Sequence, residues 1–498
     1  MSDTEIKNEK KSLSEDENIE SALYVTSEEV VDPAVERRII RKYDLFLLPV
    51  LGICYGLSFL DKTTLGYSAV FGVITDNHLV GMQYSWCSSL FYFGYLFFQY
   101  IGTLFLIPKL PLQKLLGSSF FLWGCLLIAF IGCNSFAKLG ALRFLLGCLE
   151  SIISPAFVLI MAMYYPKKYH SSRSAFWISC NGLFGVFGGV MTYGIGHIES
   201  GPFKGSQWKY IYLILGCISA VWGILMYFYL PETSATALFL TPEEREASIK
   251  IVASNNMGIK SNKINWAQVK EAFLDINCWL LMLCSFCNAV PSGGLSTFGS
   301  ILISGLGFTN IETTLMNIPL SGILWAMCLI YAFLTQTFTK NYRLLTAAAF
   351  MIIPIIGTGL IHGLTDKWGR LVGVWLLGVF VIGFVSCLST VSSNVAGTTK
   401  KSTCSMMVFV GYSVGQIAGP QVMKSKESPT YKSGIIAMLV TLILNFAFII
   451  CLHFSYKFEN DKRNKAQGEL TFEEIEEGKA NGFKDMTDKE NPFFRYAL

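Results

Sequence analysis

Charge is what this sequence has least of. Of its 498 residues, 15% are Asp, Glu, Lys or Arg, where a soluble domain carries about a quarter. That scarcity argues against a soluble enzyme, and a net charge of +4 over so long a chain gives no electrostatic case for a nucleic-acid partner. Histidine is scarcer still. The five (His78, His170, His197, His362 and His453) fall at loops or at the ends of apolar segments, and no two stand at metal-ligand spacing. This pattern excludes most membrane-bound hydrolase, acyltransferase and metalloprotease chemistries, and no metal or cofactor is expected. A glycine-rich phosphate loop ending in Lys is also lacking, which excludes an ATP-driven device. The 14 Cys lie almost entirely in apolar segments, so they do not form the framework of a secreted disulfide protein. The "CSFC" run, Cys284 to Cys287, has a metal-like spacing but no second pair nearby, and reads as buried thiols. No cleavable signal peptide precedes the first apolar segment, because "MSDTEIKNEKKSLSEDENIE" is polar throughout.

What the chain has instead is apolar length. Hydrophobic residues make up 52%, with 38 Phe and 44 Gly, and the mean hydropathy is +0.47. A membrane span needs about 20 mostly apolar residues. On that rule twelve spans are expected, near 45–66, 86–107, 113–133, 139–164, 174–197, 210–230, 277–304, 312–338, 344–363, 371–395, 403–423 and 433–456. The fold class is an all-α membrane protein of 12 transmembrane helices in two six-helix bundles. Expected boundaries are an N-terminal tail 1–43, a first bundle 44–230, a central loop 231–276, a second bundle 277–456 and a C-terminal tail 457–498. In the central loop Thr241 and Pro242 mark a helix start. Further on, "INWAQVKEAFLDI" places Ile264, Val269, Ala272 and Phe273 on one side, as an interfacial helix would. The charged stretches 1–36 and 457–498 are expected to be flexible. Lys and Arg divide almost evenly between the short loops of the two sides. The flanks break the tie: Arg37, Arg38, Arg41, Lys42, Lys457, Lys462, Arg463 and Lys465 assign both termini to the cytosol.

Against that apolar background, four charges stand inside expected spans. "LRFLLGCLESIISP" carries Arg143 and Glu150, and "YGLSFLDKTTLGYSAVFGV" carries Asp61 and Lys62. If the fourth span enters near Lys138, a rise of 1.5 Å per residue puts Glu150 about 18 Å deep, near the middle of a ~30 Å core. Seven residues turn a helix through about 700°, so Arg143 and Glu150 share one face. A charge at that depth costs at least ~2.5 kcal/mol and calls for a cavity and a partner. One reading is an ion-pair set that locks helices together, or, for Asp61, a helix that ends there. The other is a binding site in which the bases hold an anion and the carboxylates carry protons. Two acids and two bases form a balanced set, which an anion and one or two protons would leave close to neutral.

Weaker signals surround these. Gln99, Asn181, Asn288, Asn317, Asn394 and Gln416 fall within spans, where an interhelical hydrogen bond is the commoner role. Asn181 and Asn394 rank highest as ligand contacts, and Tyr92 and Tyr95 could line a cavity. "GLFGVFGG" (Gly182, Gly185, Gly188, Gly189) and "GYSVGQIAG" (Gly411, Gly415, Gly419) offer small faces for close helix contact.

Five stretches together resemble the major facilitator superfamily and, within it, the fungal anion:cation symporter group typified by allantoate permease. They are "LDKTTLGYSAVFGV", "QYSWCSSLFYFGYL", "RFLLGCLESIISPAF", "NVAGTTKKSTCSMMVFVGYSVGQIAGPQ" and "DMTDKENPFFRYAL". The resemblance implies the major facilitator fold, acting as a monomer in the plasma membrane of a fungal cell. It implies proton-coupled uptake of a small organic anion, such as allantoate, ureidosuccinate or a vitamin acid, by alternating access. Asp61 and Glu150 would then be the proton sites, Lys62 and Arg143 the carboxylate clamp, and Asn181 a polar substrate contact. Relatives that handle cationic or zwitterionic nutrients keep a second substrate class open, as does a non-transporting sensor. The sequence departs from the pattern at Lys62, where bacterial members carry Arg, and at "IPKLPLQKLLG", which lacks the Asp of the loop after the second span.

Overall fold

A computed structural model describes residues 32–107, 109–253, 265–339, 342–468 and 485–498, with isolated positions between 469 and 484. Most described residues are helical, and no strand occurs among them. Ten helices are long and apolar enough to cross a membrane: Pro33–Val70, Leu112–Gly132, Phe136–Met161, Phe176–Gly196, Trp208–Tyr229, Ile276–Ser304, Asn310–Thr337, Arg343–Gly363, Lys367–Asn394 and Lys432–Gln467. Two more helices, Gln83–Ile101 and Thr398–Gln421, bring the number to twelve. They are numbered spans 1 to 12 in chain order.

The ends of the chain depart from expectation. Span 1 begins at Pro33, where Asp32 caps the helix by accepting from the Ala34 N–H at 2.9 Å. Ile39, Ile40 and Tyr43 are already buried, so the first bundle starts before the expected boundary at 44; residues 1–31, most of the stretch expected to be flexible, lie outside the described residues. Span 12 likewise runs on to Gln467, and residues 485–498 fold back against the second half rather than trailing free. Polarity predicts a loose C-terminal segment, but residues 485–498 are held largely by specific polar partners, whereas the start of span 1 is held by apolar packing.

Small residues bring the spans together. A Cβ on Gly147 of span 4 would meet the Phe91 carbonyl and the Tyr95 amide of span 2. Gly182 and Gly185 of span 5 lie against Trp325 and Ser321 of span 8, and Gly415 and Gly419 of span 11 against span 7. The expected small faces are therefore contact faces. Among the described residues, the hydrogen bonds that join the two halves all lie toward the face opposite the termini. The Tyr84 hydroxyl donates to the Thr297 carbonyl (2.7 Å), and the Ser88 and Thr297 hydroxyls meet at 2.8 Å. The Ser89 hydroxyl donates to the Ile417 carbonyl (3.0 Å), while Gln421 and Ser425 donate to Ser89 (2.9 Å) and to the Gly81 carbonyl (2.5 Å). The halves are thus sealed on that face.

Each half holds one end of the central loop. The helix Pro242–Ala253 starts on the expected Thr241 signal and is tied to span 1 by a Lys42–Glu244 ion pair of 2.5 Å. Burial pulls the Glu244 carboxyl upward, but hydrogen bonds from Lys42 and Thr241 outweigh it and hold it below its ordinary 4.5. The second helix, Trp266–Leu274, lies on the second half. Ala272 is buried with Gln268, while Phe273 faces outward, because hydrogen bonds through Gln268 set the rotation. Ile264 lies outside the described residues.

Two outcomes test these contacts. Gly147→Ala should lower the thermal unfolding midpoint in detergent, by the ~1–3 kcal/mol that overpacking costs, whereas Gly322→Ala, with open space around its added Cβ, should not; an unchanged Gly147→Ala midpoint would show that spans 2 and 4 can part freely. Because the folded Glu244 carboxyl titrates below its unfolded value, its contribution is present above the unfolded value and lost as pH falls through the folded one. Protection of the 242–253 amides, taken against the intrinsic exchange rate at each pH, should therefore fall only in acid below pH ~4.5, and Glu244→Gln should show the weaker protection already at neutral pH.

Candidate functional site

Span 1 is helical without interruption from Pro33 to Val70, so it does not end at Asp61. Successive residues on a helix point about 100° apart, and Asp61 and Lys62 consequently face different neighbours. Asp61 is fully buried and accepts one hydrogen bond, from the Trp123 indole of span 3 at 3.2 Å. Its other oxygen has no hydrogen-bond partner. Lys62 turns instead to span 4, where its ammonium lies 2.5 Å from Glu150 Oε1. The Ser58 hydroxyl, one turn earlier on the same face, donates to that same oxygen. Glu150 is 3% exposed and its second oxygen is unpartnered. Lys62 keeps 21% of its side chain accessible.

The local fold of span 4 explains where Glu150 sits. Pro155 has no N–H to give the Ser151 carbonyl four residues before it, which interrupts the ladder. The span breaks into Phe136–Glu150 and Ile153–Tyr164, leaving Glu150 at the last position of the first piece. The close span 2–span 4 contact at Gly147 sets Glu150 beside Tyr92 and Tyr95, both buried on span 2.

Arg143 has other company. Its guanidinium donates to the Tyr212 hydroxyl at 2.8 Å and lies 5.3 Å from the Phe130 ring centroid. Phe130 and Tyr212 are themselves stacked at 4.7 Å. The Arg143 Nε has no hydrogen-bond partner, and among the described residues no carboxylate reaches ion-pair distance of it. Arg143 and Asp61 act on one another only through space. The charges are therefore joined by one contact, Lys62 to Glu150, which crosses from span 1 to span 4.

The second half contributes aromatics rather than charge at this depth. Tyr412 of span 11 stands edge-on to Tyr92 at 6.4 Å and packs on Phe384 of span 10 at 4.8 Å. On span 5, Asn181 has a buried, unpartnered side-chain oxygen. Trp177, one turn earlier, has an unpartnered indole N–H and lies 4.5 Å from the Tyr55 ring of span 1. Asn394 does not belong with these. It sits at the end of span 10 on the face of the termini, where its amide exchanges two hydrogen bonds with the Ala497 backbone, of 2.8 and 2.9 Å. Its side chain is spent on the C-terminal segment, which corrects its expected place in the site. Asn288, Asn317 and Gln416 make interhelical bonds, to Asn445, Ser300 and Ser292.

The profile of the Major Facilitator Superfamily matches residues 51–420. The chain belongs to the major facilitator superfamily. Allantoate permease of Saccharomyces cerevisiae is 32% identical over 479 residues, 94% of this chain and 88% of that protein. An uncharacterised transporter of Schizosaccharomyces pombe is 36% identical over 465 residues, 92% of this chain and 87% of that protein. Among solved structures, an inward-facing, unoccupied bacterial homologue of the human lysosomal transporter Spinster superposes with a TM-score of 0.63 at 14% identity, covering 82% of this chain and 97% of that one. These proteins are membrane transporters, and the last supports the fold alone.

Of the residues that complete this cluster, Ser58 carries a legible signal, lying four before Lys62. Trp123, Phe130, Tyr212, Trp177 and Tyr412 do not, since aromatic residues on spans look alike until their neighbours are known. The pair itself is open to a mutant cycle. Lys62→Met should cost about 3–5 kcal/mol by stranding Glu150, and adding Glu150→Gln should recover most of it in thermal unfolding. Equal losses in the single and double variants would mean that the two side chains do not act as a pair.

Proposed function

We propose that the chain is a secondary active transporter that carries a small organic carboxylate together with protons by alternating access. The observation that carries this reading is the Lys62–Glu150 contact: a half-buried base whose one direct ionic partner among the described residues is a buried carboxylate that can be neutralised. A substrate carboxylate and Glu150 compete for Lys62. A proton arriving on Glu150 ends the ion pair and leaves the ammonium for the substrate. Arg143, braced on Phe130 and Tyr212 with its Nε unpartnered, is the second cation of the clamp, and Asp61, with one unpartnered oxygen, is the second proton site.

Around this centre Tyr92, Tyr95 and Tyr412 form an aromatic wall. The unpartnered Trp177 N–H and Asn181 oxygen, one turn apart, offer a neutral donor and acceptor. That combination favours a carboxylate that also bears an amide or ureido group, and the similarity to allantoate permease points the same way. Residues 44–230 and 277–456 act as the two rocking bodies, in a monomer of the fungal plasma membrane with both termini cytosolic.

Proteoliposomes with an imposed pH gradient test the proposal, using radiolabelled allantoate and a panel of competing carboxylates. Wild-type protein should concentrate a carboxylate only when the gradient is present, and Glu150→Gln should lose that dependence. Accumulation by Glu150→Gln that still followed the gradient would overturn the role given to Glu150. Arg143→Ala should weaken substrate affinity by about tenfold or more, the loss expected of a charge-assisted hydrogen bond; wild-type affinity would remove it from the clamp.

A further inference from the structure

The residues that the transport reading leaves unused gather on the face of the termini, against the second half. Lys400, near the start of span 11, is fully buried, and its ammonium contacts three carboxylates: Glu271 of the loop helix at 2.9 Å, Asp275 before span 7 at 3.0 Å, and Asp488 of the C-terminal segment at 2.7 Å. A neutral junction adjoins this charged one. The Gln268 side-chain oxygen accepts from the Thr399 and Lys400 backbone N–H groups, at 3.0 and 3.1 Å, while its nitrogen donates to the Asp485 carbonyl at 2.8 Å. Asp485 in turn caps span 11 by accepting from the Thr398 N–H at 2.6 Å. Three separate stretches of chain, the loop helix, span 11 and residues 485–498, therefore meet at both junctions.

The rest of the segment is fastened as firmly. Asp488 is 2% and Tyr496 5% exposed, and the Tyr496 hydroxyl donates to Asp488 at 2.8 Å. Arg463, on the extension of span 12, donates to the Phe494 and Asp488 carbonyls at 2.8 and 3.0 Å. Asn460 and Asn394 each exchange a pair of backbone hydrogen bonds with the segment, at Tyr496 and Ala497. Among the described residues no hydrogen bond joins 485–498 to the first half. It is therefore no lock between the halves. Its partners are spans 9, 10, 11 and 12 and the loop helix, with the Arg343 N–H of span 9 donating to the Leu498 carbonyl at 2.7 Å.

We propose that residues 485–498 are a strap that occupies a built site on the second half and, through Lys400 and Gln268, fixes the loop helix Trp266–Leu274 to that half, so that helix and bundle move as one body. The physical reason is shared burial. Lys400 needs its carboxylates because an uncompensated buried charge is strongly destabilising. One of the three comes from the strap and one from the loop helix. Loss of the strap leaves Lys400 underpaired, removes the second partner of Gln268 and exposes the ground on which the loop helix lies.

Hydrogen exchange of the amides of 266–274 in purified protein tests this without any substrate, so its outcome is independent of what is transported. In the chain ended after Lys484 these amides should exchange about tenfold faster or more, with spans 1 to 6 unchanged as a control for folding. Added synthetic peptide of residues 485–498 should slow them again. Because the shortened chain could fail to fold, full-length Asp488→Asn and Tyr496→Phe are measured beside it, and both should loosen the same helix. Wild-type exchange at 266–274 in the folded truncation, or in both point variants, would overturn the strap. So would a loosened helix that millimolar peptide does not slow.

Discussion

A charge in hydrocarbon must be answered by another polar group of the protein, and the first half is arranged around that constraint. Isolated, an ionised side chain at the centre of a span costs about 2.5–3.5 kcal/mol or more. Lys62 and Glu150 answer each other directly, with Ser58 added on the same oxygen. Arg143 is met by a hydroxyl and a stacked aromatic pair, and Asp61 by one indole. The geometry of spans 1, 3, 4 and 6 follows from bringing these partners together. Gly147 has no side chain because anything larger would part spans 2 and 4 and shift Glu150 from Lys62.

The same constraint is met differently in the second half. At the depth of the Lys62–Glu150 pair it presents Tyr412, Phe384 and amide pairs such as Asn288 with Asn445. Its buried charge lies at the membrane edge, where Lys400 is surrounded by carboxylates from three stretches of chain. One half therefore carries the ionic centre, and the other a smooth wall with a rigid base. Contact between them is concentrated in glycine faces, with Gly182 and Gly185 against span 8, and in hydrogen bonds toward the face opposite the termini.

Much of this was legible in the sequence because lipid makes the pattern coarse. Twelve apolar stretches and the four intramembrane charges could be read directly, and so could the helix start at Thr241. Partnership could not. The shared face of Arg143 and Glu150 is correct helix geometry, yet they do not share a partner, since Glu150 pairs with a base from span 1. Asn394 reads as a ligand contact because it is a polar residue within the expected span 371–395. Its use by the backbone of Ala497, a hundred residues away, has no local signal. The C-terminal segment 485–498 departs from expectation for a related reason: composition reports whether a segment can bury apolar surface, not whether Asn460, Arg463 and Lys400 wait to receive it. The hold of Gln268 on the start of span 11 likewise has no local signal in the sequence.

The arrangement of four charges on two helices constrains the proposed coupling. Each helix brings one acid and one base, so the set is neutral when all four are ionised. Binding a monocarboxylate leaves it at −1, which the low-dielectric centre opposes, and one proton restores neutrality. The proton has a specific place to go: the substrate displaces Glu150 from Lys62, and a displaced, uncompensated carboxylate is the group whose charge has become costly. Substrate binding and protonation thus favour each other at a single residue, with no need for a separate relay. Asp61 enters through the chain itself. It is covalently next to Lys62 but faces a different neighbour, about 100° around span 1, so any movement of that span that follows a change at Glu150 also moves Asp61 relative to Trp123 and Arg143. On the proposed reading, span 1 links the two carboxyl stations because two adjacent residues look in different directions.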